Sequence, residues 1–371
     1  MTLENVKIAV LGIRGFPAVQ GGPEVHSQNL YPLLVKRGCD VTVFARRSYV
    51  DKSTREYDGV KLIILPCIRN KFLEAFFHTF IGVLVARKLS PDILHIHAIG
   101  PSLFVPLAKM LGMKVVMTNH GPDYKRKKWG RVAKAVLRFG EYLGSRYSNA
   151  VICVSQQLAD DIATKYRRDV VFIPNGVNIP EISKSKDTIS KYGLEKNRYI
   201  MAVGRFVPEK GFHDLIDAFK MAGLADWKLA IVGDATHQDS YTTSLKRKTG
   251  NDIIFTGVLS GASLEELYSN AGIFVLPSYY EALSIALLEA MSYGLSCIVS
   301  DIPANLAVGL PRYRYFKTGD IKELAQKIRE FSLKPLSDEE KKRQIEMVAE
   351  KYNWDIIADQ TRLVYKKVSG K

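Results

Sequence analysis

The chain of 371 residues lacks several features that would assign it to a class at once. It contains no apolar run of the ~20 residues that a transmembrane helix needs, so we do not expect it to cross a membrane. Its first residues run directly into a predicted strand and lack the basic and apolar regions of a secretory signal peptide, so we expect none. Short repeats and low-complexity tracts are also absent, which disfavours solenoid and fibrous folds.

Cysteine is scarce, and the four cysteines do not form a metal-binding or redox pattern. They are far apart, and no two stand in a C-x-x-C pair: Cys39, Cys67, Cys153 and Cys297. We therefore expect buried free thiols in a reducing compartment and no zinc site.

Acidic residues are scarce in the first half of the chain only. The whole sequence has 53 basic and 38 acidic residues, a formal charge of +15. Residues 1–175 have a net charge of +13, whereas residues 176–371 have +2. Such asymmetry indicates an anionic partner, either a nucleic acid or a membrane surface.

The basic residues are densest in residues 124–147, which contain one acid, Glu141. Apolar residues recur there at helical spacing, with Trp129 near the start, so the segment is predicted to be a basic amphipathic helix. The helix either lies on a membrane or packs its apolar stripe on a domain core. Residues 71–88 form an aromatic-rich stretch that we also expect to lie on a bilayer. The basic residues of the first segment are Lys125, Arg126, Lys127, Lys128, Arg131, Lys134, Arg138 and Arg146.

Short β-rich runs alternate with helical patterns, and the pattern restarts after residues 174–198, which we interpret as a linker. This alternation predicts an α/β fold of two Rossmann-like doubly wound domains with parallel sheets that face each other across a cleft. Ligands are expected at the carboxyl ends of the strands. The predicted strands are 6–11, 40–45, 61–65, 93–96, 114–118, 150–154 and 170–173, then 199–203, 228–232, 253–256, 273–276 and 296–300. Helices are predicted at 24–36, 211–221, 263–270, 283–293 and 353–368.

Three loops at such strand ends have residues suited to chemistry. The first, residues 12–24, is neither G-x-G-x-x-G nor a Walker loop, which disfavours nicotinamide and P-loop functions, but Gly21 and Gly22 permit close approach to an anion. In the second, residues 204–211, Arg205 and Lys210 flank a turn before a helix and suit a diphosphate without a metal ion.

The third loop precedes a helix that has two glutamates eight residues apart, Glu281 and Glu289. If both stood on that helix, they would lie ~80° apart around its axis, on one side of the helix. We expect them to grip two hydroxylated groups of one elongated ligand, because the helix is otherwise apolar.

These motifs together resemble glycosyltransferase family 4, whose members are retaining enzymes. Glu281 and Glu289, with Pro277-Ser278 before them and Gly294 after them, resemble its E-x7-E signature. The segments 204–211, 174–177 and 118–121 resemble its second signature, its interdomain junction and its histidine loop. Residues 15–24 and 120–130 are similar to the branch that builds bacterial capsule, O-antigen or exopolysaccharide. One departure is Ala282, where many relatives have glycine.

The resemblance implies a GT-B fold and a nucleotide-diphosphate-sugar donor. Residues 1–176 would bind the acceptor, with a C-terminal helix at about 354–371 packing back on them, and residues 177–353 would bind the donor. Arg205 and Lys210 would hold the diphosphate, Glu289 the ribose and Glu281 the sugar, and His120 would lie by the reaction centre. The remaining donor contacts would be Gly21, Gly22, Gly204, Val258, Ala282, Leu283, Ser284 and Ile285. Catalysis would involve His120, Glu281, Arg205 and Lys210.

A mechanism follows from this assignment. The cations stabilise the charge of the departing nucleoside diphosphate. No D-x-D triplet is present, so we expect neither a metal ion nor a cofactor. No enzymic nucleophile is evident, so we expect attack from the face from which the leaving group departs. Asp123 is predicted to contact the acceptor, whereas His95 and His97 are interpreted as structural.

We therefore expect transfer of a hexose or deoxyhexose to a lipid-linked saccharide, in surface polysaccharide synthesis, on the cytoplasmic face of the plasma membrane. The acceptor is expected to be linked to polyprenyl diphosphate, and the partners are the nucleotide sugar and the anionic membrane surface. Residues 125–129, Arg131 and Lys134 are assigned to acceptor or membrane contact. Alternatives are a nucleotide-sugar epimerase or phosphorylase of similar shape and a basic nucleic-acid-binding protein, which lacks a nucleic-acid motif.

Overall fold

A computed structural model of the chain describes residues 6–68, 70, 73–125, 129–235, 239–248 and 250–371. The chain divides into two compact units, residues 1–175 with 354–371 and residues 176–353. Each unit is a parallel sheet covered by helices, so the prediction of two Rossmann-like α/β domains is confirmed.

The first unit is built on an eight-stranded sheet with the strand order β3-β4-β2-β1-β5-β6-β7-β8, parallel except at β3. Apolar β-branched residues dominate its central strands, which are buried on both faces, as parallel strands are. The strands are β1 (Lys7–Leu11), β2 (Asp40–Arg46), β3 (Glu56–Tyr57), β4 (Val60–Leu65), β5 (Ile93–His97), β6 (Val115–Asn119), β7 (Ala150–Cys153) and β8 (Val171–Phe172). The helices between them are α1 (Gly22–Lys36), α2 (Glu74–Leu89), α3 (Val105–Met110), α4 (Arg131–Tyr147) and α5 (Gln156–Tyr166).

The second unit is built on a six-stranded parallel sheet with the order β11-β10-β9-β12-β13-β14. Its strands are β9 (Tyr199–Val203), β10 (Lys228–Val232), β11 (Ile253–Gly257), β12 (Ile273–Leu276), β13 (Ser296–Ser300) and β14 (Tyr315–Phe316). Its helices are α6 (Asp187–Lys191), α7 (Phe212–Ala222), α8 (Ser240–Arg247), α9 (Ala262–Asn270), α10 (Ile285–Ser292), α11 (Pro303–Leu306), α12 (Ile321–Leu333) and α13 (Asp338–Lys351).

The segment interpreted as a linker, residues 174–198, is mostly part of the second unit. It contains α6, and Ile189 and Leu194 are buried in the core of that unit. Its polar composition was misleading because two well-placed apolar side chains are enough to fix a short helix on a core. The last helix, α14 (Trp354–Ser369), belongs to the first unit, where Tyr365 is buried beside α1.

Two helices of the first unit have their amphipathic faces inverted. Right-handed crossovers place α2, α3, α4 and α5 on one face of the sheet and α1 on the other. Helix α2 buries Glu74, His78 and Thr79 in its first half and Gly82, Val83 and Ala86 in its second half, and it exposes Phe76 and Phe80. The first half of the helix therefore turns polar groups to the sheet and aromatic rings to solvent.

Helix α4 shows the same inversion. It buries Gly140, Glu141, Gly144 and Ser145, so the one acid of the segment faces the core. Most of its large apolar side chains do not pack on the core: Val132 is 78% exposed and Phe139 is 55% exposed, whereas Leu137 and Leu143 are partly buried. Glu141 accepts hydrogen bonds from Lys165 Nζ at 2.6 Å and Tyr166 Oη at 2.9 Å, which compensates its burial.

The cysteine prediction is correct at three positions and wrong at one. All four thiols are free; Cys39, Cys153 and Cys297 are buried, but Cys67 is partly exposed next to Ser48. Among the described residues, no helix is long and apolar enough to cross a membrane.

The packing of α4 through glycine yields a prediction. A Cβ at Gly140 would lie 2.2 Å from the Ile99 carbonyl oxygen, whereas one at Gly130, where φ is −70°, has no atom within 4 Å. We expect Gly140→Ser to reduce the free energy of unfolding by about 1–3 kcal/mol. Gly130→Ser, at the N-cap of the same helix, should leave it unchanged or raise it. Chemical denaturation measures both, and equal stabilities would show that α4 does not pack through its glycine face.

Candidate functional site

The predicted donor-binding residues of the second unit follow three strands of its sheet, of which β9 and β12 are neighbours and β11 is separated from β9 by β10. Gly204 and the cations follow β9, Val258 follows β11, and Glu281 follows β12. Because these strands are parallel, all three loops lie at the carboxyl edge of one sheet. Val258 is half-exposed there, and Arg205 is partly buried in the loop after β9.

Lys210 and Glu281 form an ion pair at this edge. Lys210 Nζ donates to Glu281 Oε1 at 2.6 Å, and both side chains are largely buried. Ser278 Oγ donates to the same carboxylate oxygen, also at 2.6 Å. The structure therefore brings together two of the four residues predicted to be catalytic, and it fixes the carboxylate through Ser278, to which the sequence analysis assigned no role of its own.

The two loops can meet because residue 211 is glycine. Its φ of 67° lies in the left-handed region, and a Cβ there would lie 2.1 Å from the Pro277 carbonyl oxygen. The Tyr279 backbone N–H donates to the Glu209 carbonyl at 2.8 Å, which ties the loops together. The loop after β9 thus places Lys210 in contact with the loop after β12.

Glu289 lies on α10, but Glu281 does not. The helix begins at Ile285, so the premise that both glutamates share one helical face is wrong. The helix starts late because Ser284 caps it, accepting from the Leu287 N–H at 3.4 Å. Ala282, Leu283 and Ser284 therefore form a short non-helical segment before α10. The backbone N–H groups at the N-terminus of that helix have no partner within the helix.

The Glu289 carboxyl has a pKa close to neutral pH. Desolvation raises its pKa to about 7, although the Tyr268 hydroxyl, which donates to it at 2.9 Å, opposes the rise. Tyr268 is fully buried, and α9 holds it. The hydrogen-bond partner of this acid in the described part of the chain is a neutral phenol, so its ionisation is costly for folding, which is typical of a residue retained for binding or catalysis.

In the first unit, the glycine loop after β1 is organised by an ion pair. Arg14 Nε donates to Glu24 Oε1 at 3.0 Å, and both side chains are mostly buried. At Gly21, φ is 152°, and a Cβ would lie 2.1 Å from Glu24 Oε2. Gly22 has open space on its Cβ side. The sequence pointed to both glycines but not to the arginine–glutamate pair that shapes the loop.

His120 follows β6 and joins a buried cluster with His26, His95 and His97. His97 Nδ1 and His120 Nε2 are 2.8 Å apart, and the two rings are stacked. His95 and His97 are completely buried. Desolvation, with like-charge repulsion inside the cluster, lowers the pKa of His26 and His95 to about 3. Desolvation likewise lowers the pKa of His120 to about 3, although Glu24 opposes it.

The residues predicted for acceptor or membrane contact lie before and within α4. Asp123 is partly buried in a short turn, and Lys125 is exposed. Arg126, Lys127 and Lys128 lie outside the described residues. Trp129 is partly buried, Arg131 is exposed and Lys134 is partly exposed. Within the described chain, no group of three or more histidine, cysteine or acidic side chains is placed to hold a metal ion.

Two family models together match nearly the whole chain. One, described as Glycosyltransferase Family 4, matches residues 20–180, and the other, described as Glycosyl transferases group 1, matches residues 184–351. The chain belongs to glycosyltransferase family 4.

Relatives of known sequence agree with this family. An uncharacterised glycosyltransferase of Methanocaldococcus jannaschii is 25% identical over 97% of this chain and 98% of its own. The UDP-Gal:alpha-D-GlcNAc-diphosphoundecaprenol alpha-1,3-galactosyltransferase of Escherichia coli is 26% identical over 82% of both chains.

Solved structures identify the fold as GT-B, as predicted. Sucrose-phosphate synthase of Thermosynechococcus elongatus has a TM-score of 0.82 at 22% identity over 97% of this chain and 98% of its own. HepE of Anabaena, crystallised with UDP-glucose, has a TM-score of 0.78 at 18% identity over 97% of this chain and 99% of its own.

The raised pKa of Glu289 predicts a pH-dependent stability of this glycosyltransferase. The folded carboxyl titrates near 7, above its ordinary 4.5, so its ionisation costs stability as pH rises through that window. Glu289→Gln cannot ionise, and we expect its unfolding temperature relative to wild type to be higher at about pH 8 than at about pH 5.

Glu350→Gln, at an exposed position on α13, controls for the substitution itself. Thermal unfolding at the two pH values measures the difference. A Glu289→Gln effect that is the same at both would show that the carboxyl is not desolvated.

Proposed function

We propose that this glycosyltransferase is a retaining, metal-independent enzyme that moves a hexose or deoxyhexose from a nucleotide-diphosphate sugar to a lipid-linked saccharide. The observation that carries the proposal is the Lys210–Glu281 contact, with Arg205 in the same loop and Glu289 on the next helix. Cations suit a diphosphate, and carboxylates suit sugar and ribose hydroxyls. The named activity of the Escherichia coli relative, which uses a diphosphoundecaprenol acceptor, supports the class of acceptor.

The reaction can be written with these groups in named roles. The glycosidic C–O bond of the donor breaks, and an acceptor hydroxyl bonds to the anomeric carbon on the same face. The nucleoside diphosphate leaves, and its phosphate oxygen takes the acceptor proton. Lys210 and Arg205 stabilise the charge that develops on that oxygen, which is the electrostatic role a metal ion has in other enzymes. Glu281 and His120 contact the transferred sugar, and Glu289 accepts from the ribose.

Lys210 has two states in this proposal. Without donor, its ammonium is neutralised by Glu281 at 2.6 Å. When the diphosphate binds, the ammonium is shared with phosphate oxygens, and Glu281 is released to accept from the sugar. The ion pair therefore keeps both groups desolvated and oriented before the donor arrives, which lowers the reorganisation needed for catalysis.

Substitution of the lysine tests the site. We expect Lys210→Ala to lower kcat/KM by about 10²–10³-fold, because one stabilising charge is lost. Lys248→Ala is the matched control, because it also removes a lysine–carboxylate pair of the same unit. In that pair, which lies outside the site, Lys248 Nζ is 2.5 Å from Asp217 Oδ2. Near-normal turnover by Lys210→Ala would refute the assigned site.

The assay also separates the reaction classes. UDP-, GDP- and dTDP-sugars are screened by thermal shift, because specific binding stabilises the folded state. Transfer to a diphosphate-linked saccharide is then followed with and without EDTA, and the product anomer is read by NMR. Inversion at the anomeric carbon, or loss of activity with EDTA, would contradict the proposal. Turnover of the nucleotide sugar without any acceptor would favour the epimerase or phosphorylase alternative.

We further propose that the inverted helices α2 and α4 place the first unit on an anionic membrane. Both contact the turn Pro101–Phe104, and the Phe76 and Phe80 rings lie 4.8 and 5.8 Å from Phe104. Exposed aromatic and aliphatic side chains thus stand on two helices that contact the same turn: Phe76, Phe77, Phe80, Leu84, Val132, Val136, Phe139 and Tyr142.

Charge indicates a bilayer as the partner. Arg131, Arg138 and Arg146 are exposed on α4 together with its apolar residues, and residues 1–175 hold nearly all of the net positive charge. Apolar side chains flanked by cations fit the interface of an anionic membrane. Contact there would deliver a lipid-linked acceptor to an enzyme peripherally associated with the cytoplasmic face.

Vesicle binding tests this surface. We expect Phe80→Ser with Phe139→Ser to weaken binding to phosphatidylglycerol-containing vesicles by about tenfold per phenylalanine. Leu363→Ser is the control, because Leu363 is 62% exposed on α14, which packs with α1 on the other face of the sheet. Equal sedimentation of the double variant and the control would count against the surface. A preference for DNA over these vesicles in a salt titration would favour the nucleic-acid alternative.

A further inference from the structure

The buried cluster around His120 is a hydrogen-bonded chain rather than a set of separate core residues. His95 and His97 stand two residues apart on β5, so their side chains share one face of the sheet. That face meets Tyr31 of α1 and Tyr365 of α14, both completely buried. The two tyrosines and three histidines contact one another through polar atoms.

The contacts are short and sequential. Tyr31 Oη lies 2.5 Å from His97 Nε2, and His97 Nδ1 lies 2.8 Å from His120 Nε2. Tyr365 Oη lies 2.5 Å from His95 Nδ1, and His95 Nε2 lies 2.7 Å from Thr118 Oγ1. A longer contact of 3.1 Å joins Tyr31 Oη to His95 Nδ1.

The direction of donation follows from what each group can offer. An uncharged imidazole has one N–H and one lone pair, and a phenol has one O–H. The imidazole lone pair is the stronger acceptor, so each phenol donates to its nearer histidine: Tyr31 to His97, and Tyr365 to His95. His97 then accepts at Nε2 and has its proton on Nδ1. That proton is donated to Nε2 of His120, whose own proton must stand on Nδ1.

We propose that Tyr31 and His97 are positioning residues that hold His120 uncharged, with its proton on Nδ1, so that His120 meets its ligand as a hydrogen-bond donor. The ligand follows from the proposed function, on which this inference rests: an oxygen of the nucleotide sugar. In this state His120 cannot accept a proton through Nδ1, and Nε2 is occupied. It is therefore a donor to the bound sugar and not a general base.

The surroundings of the ring fit this role. His120 is partly exposed, and within the described part of the chain its Nδ1 has no hydrogen-bond partner, so this atom is available to a ligand. Burial disfavours the imidazolium throughout the cluster and keeps the pKa of His120 far below neutrality. Stacking against His97 and an edge contact with His26 fix the plane of the ring.

The tautomer can be measured without any substrate. The protein is labelled with 15N-histidine, and the His120 signals are assigned by their loss in His120→Asn. In wild type we expect the shifts of a neutral Nδ1–H imidazole. In Tyr31→Phe the donor to His97 is lost, and we expect the His120 shifts to move towards a mixture of both tautomers. Tyr365→Phe deletes a like hydroxyl that contacts Tyr31 and His95 but neither His97 nor His120, and it should move those shifts less than Tyr31→Phe does.

Kinetics then links the tautomer to function. We expect Tyr31→Phe to lower kcat by about tenfold with little change in stability, while Tyr365→Phe retains activity. His97→Asn, which can keep an amide donor towards His120, should retain more activity than His97→Leu. An Nε2–H tautomer in wild type, or His120 shifts that Tyr31→Phe leaves unchanged, would overturn the inference. A correct tautomer in a protein that transfers no sugar would instead refute the proposed function alone.

Discussion

The candidate donor site depends on the contact between Lys210 and Glu281. It joins two loops that follow different strands, and it forms only because Gly211 lets the backbone of one loop approach the Pro277 carbonyl of the other. A side chain at residue 211 would separate the loops, and the cation would lose its partner. The sheet fixes where both loops begin, but the position of the Lys210 ammonium at that edge depends on the close approach of Gly211 to the Pro277 carbonyl.

The same unit accepts an energetic cost at Glu289. A carboxyl desolvated against Tyr268 opposes folding at the pH where it ionises, whereas the apolar residues of α10 around it favour folding. The first unit shows a related cost in its histidine cluster, where four imidazoles are kept uncharged by burial. Both costs fall close to the predicted site residues: Glu289 lies on the helix that follows the Glu281 loop, and the histidine cluster includes His120. A desolvation cost of this kind is expected where binding, rather than packing, selects the residue.

Sequence reasoning reached the architecture and the positions of the charged residues, but not their local geometry. Alternating strands and helices identified both sheets, and the loop after β9 and the two glutamates were located correctly because their chemistry lies in residue type and order. The helical relation of Glu281 to Glu289 was wrong, because a serine cap decides where α10 begins and periodicity does not show it. The Arg14–Glu24 pair was missed, since its members stand ten positions apart in the sequence and only the folded turn brings them together.

The inversion of α2 and α4 shows a more general limit of periodicity. An amphipathic pattern gives the angle between apolar and polar faces, but not which of the two faces the core. In α4, Gly140 and Gly144 determine which face is buried, because they allow the backbone to approach Ile99 and Met117 more closely than any larger residue would. Once the glycine face is buried, the apolar face must point outward, and its stability depends on what covers it. The close packing of two glycines therefore creates the surface that we propose for the membrane, and the same substitutions that loosen α4 would reorient that surface.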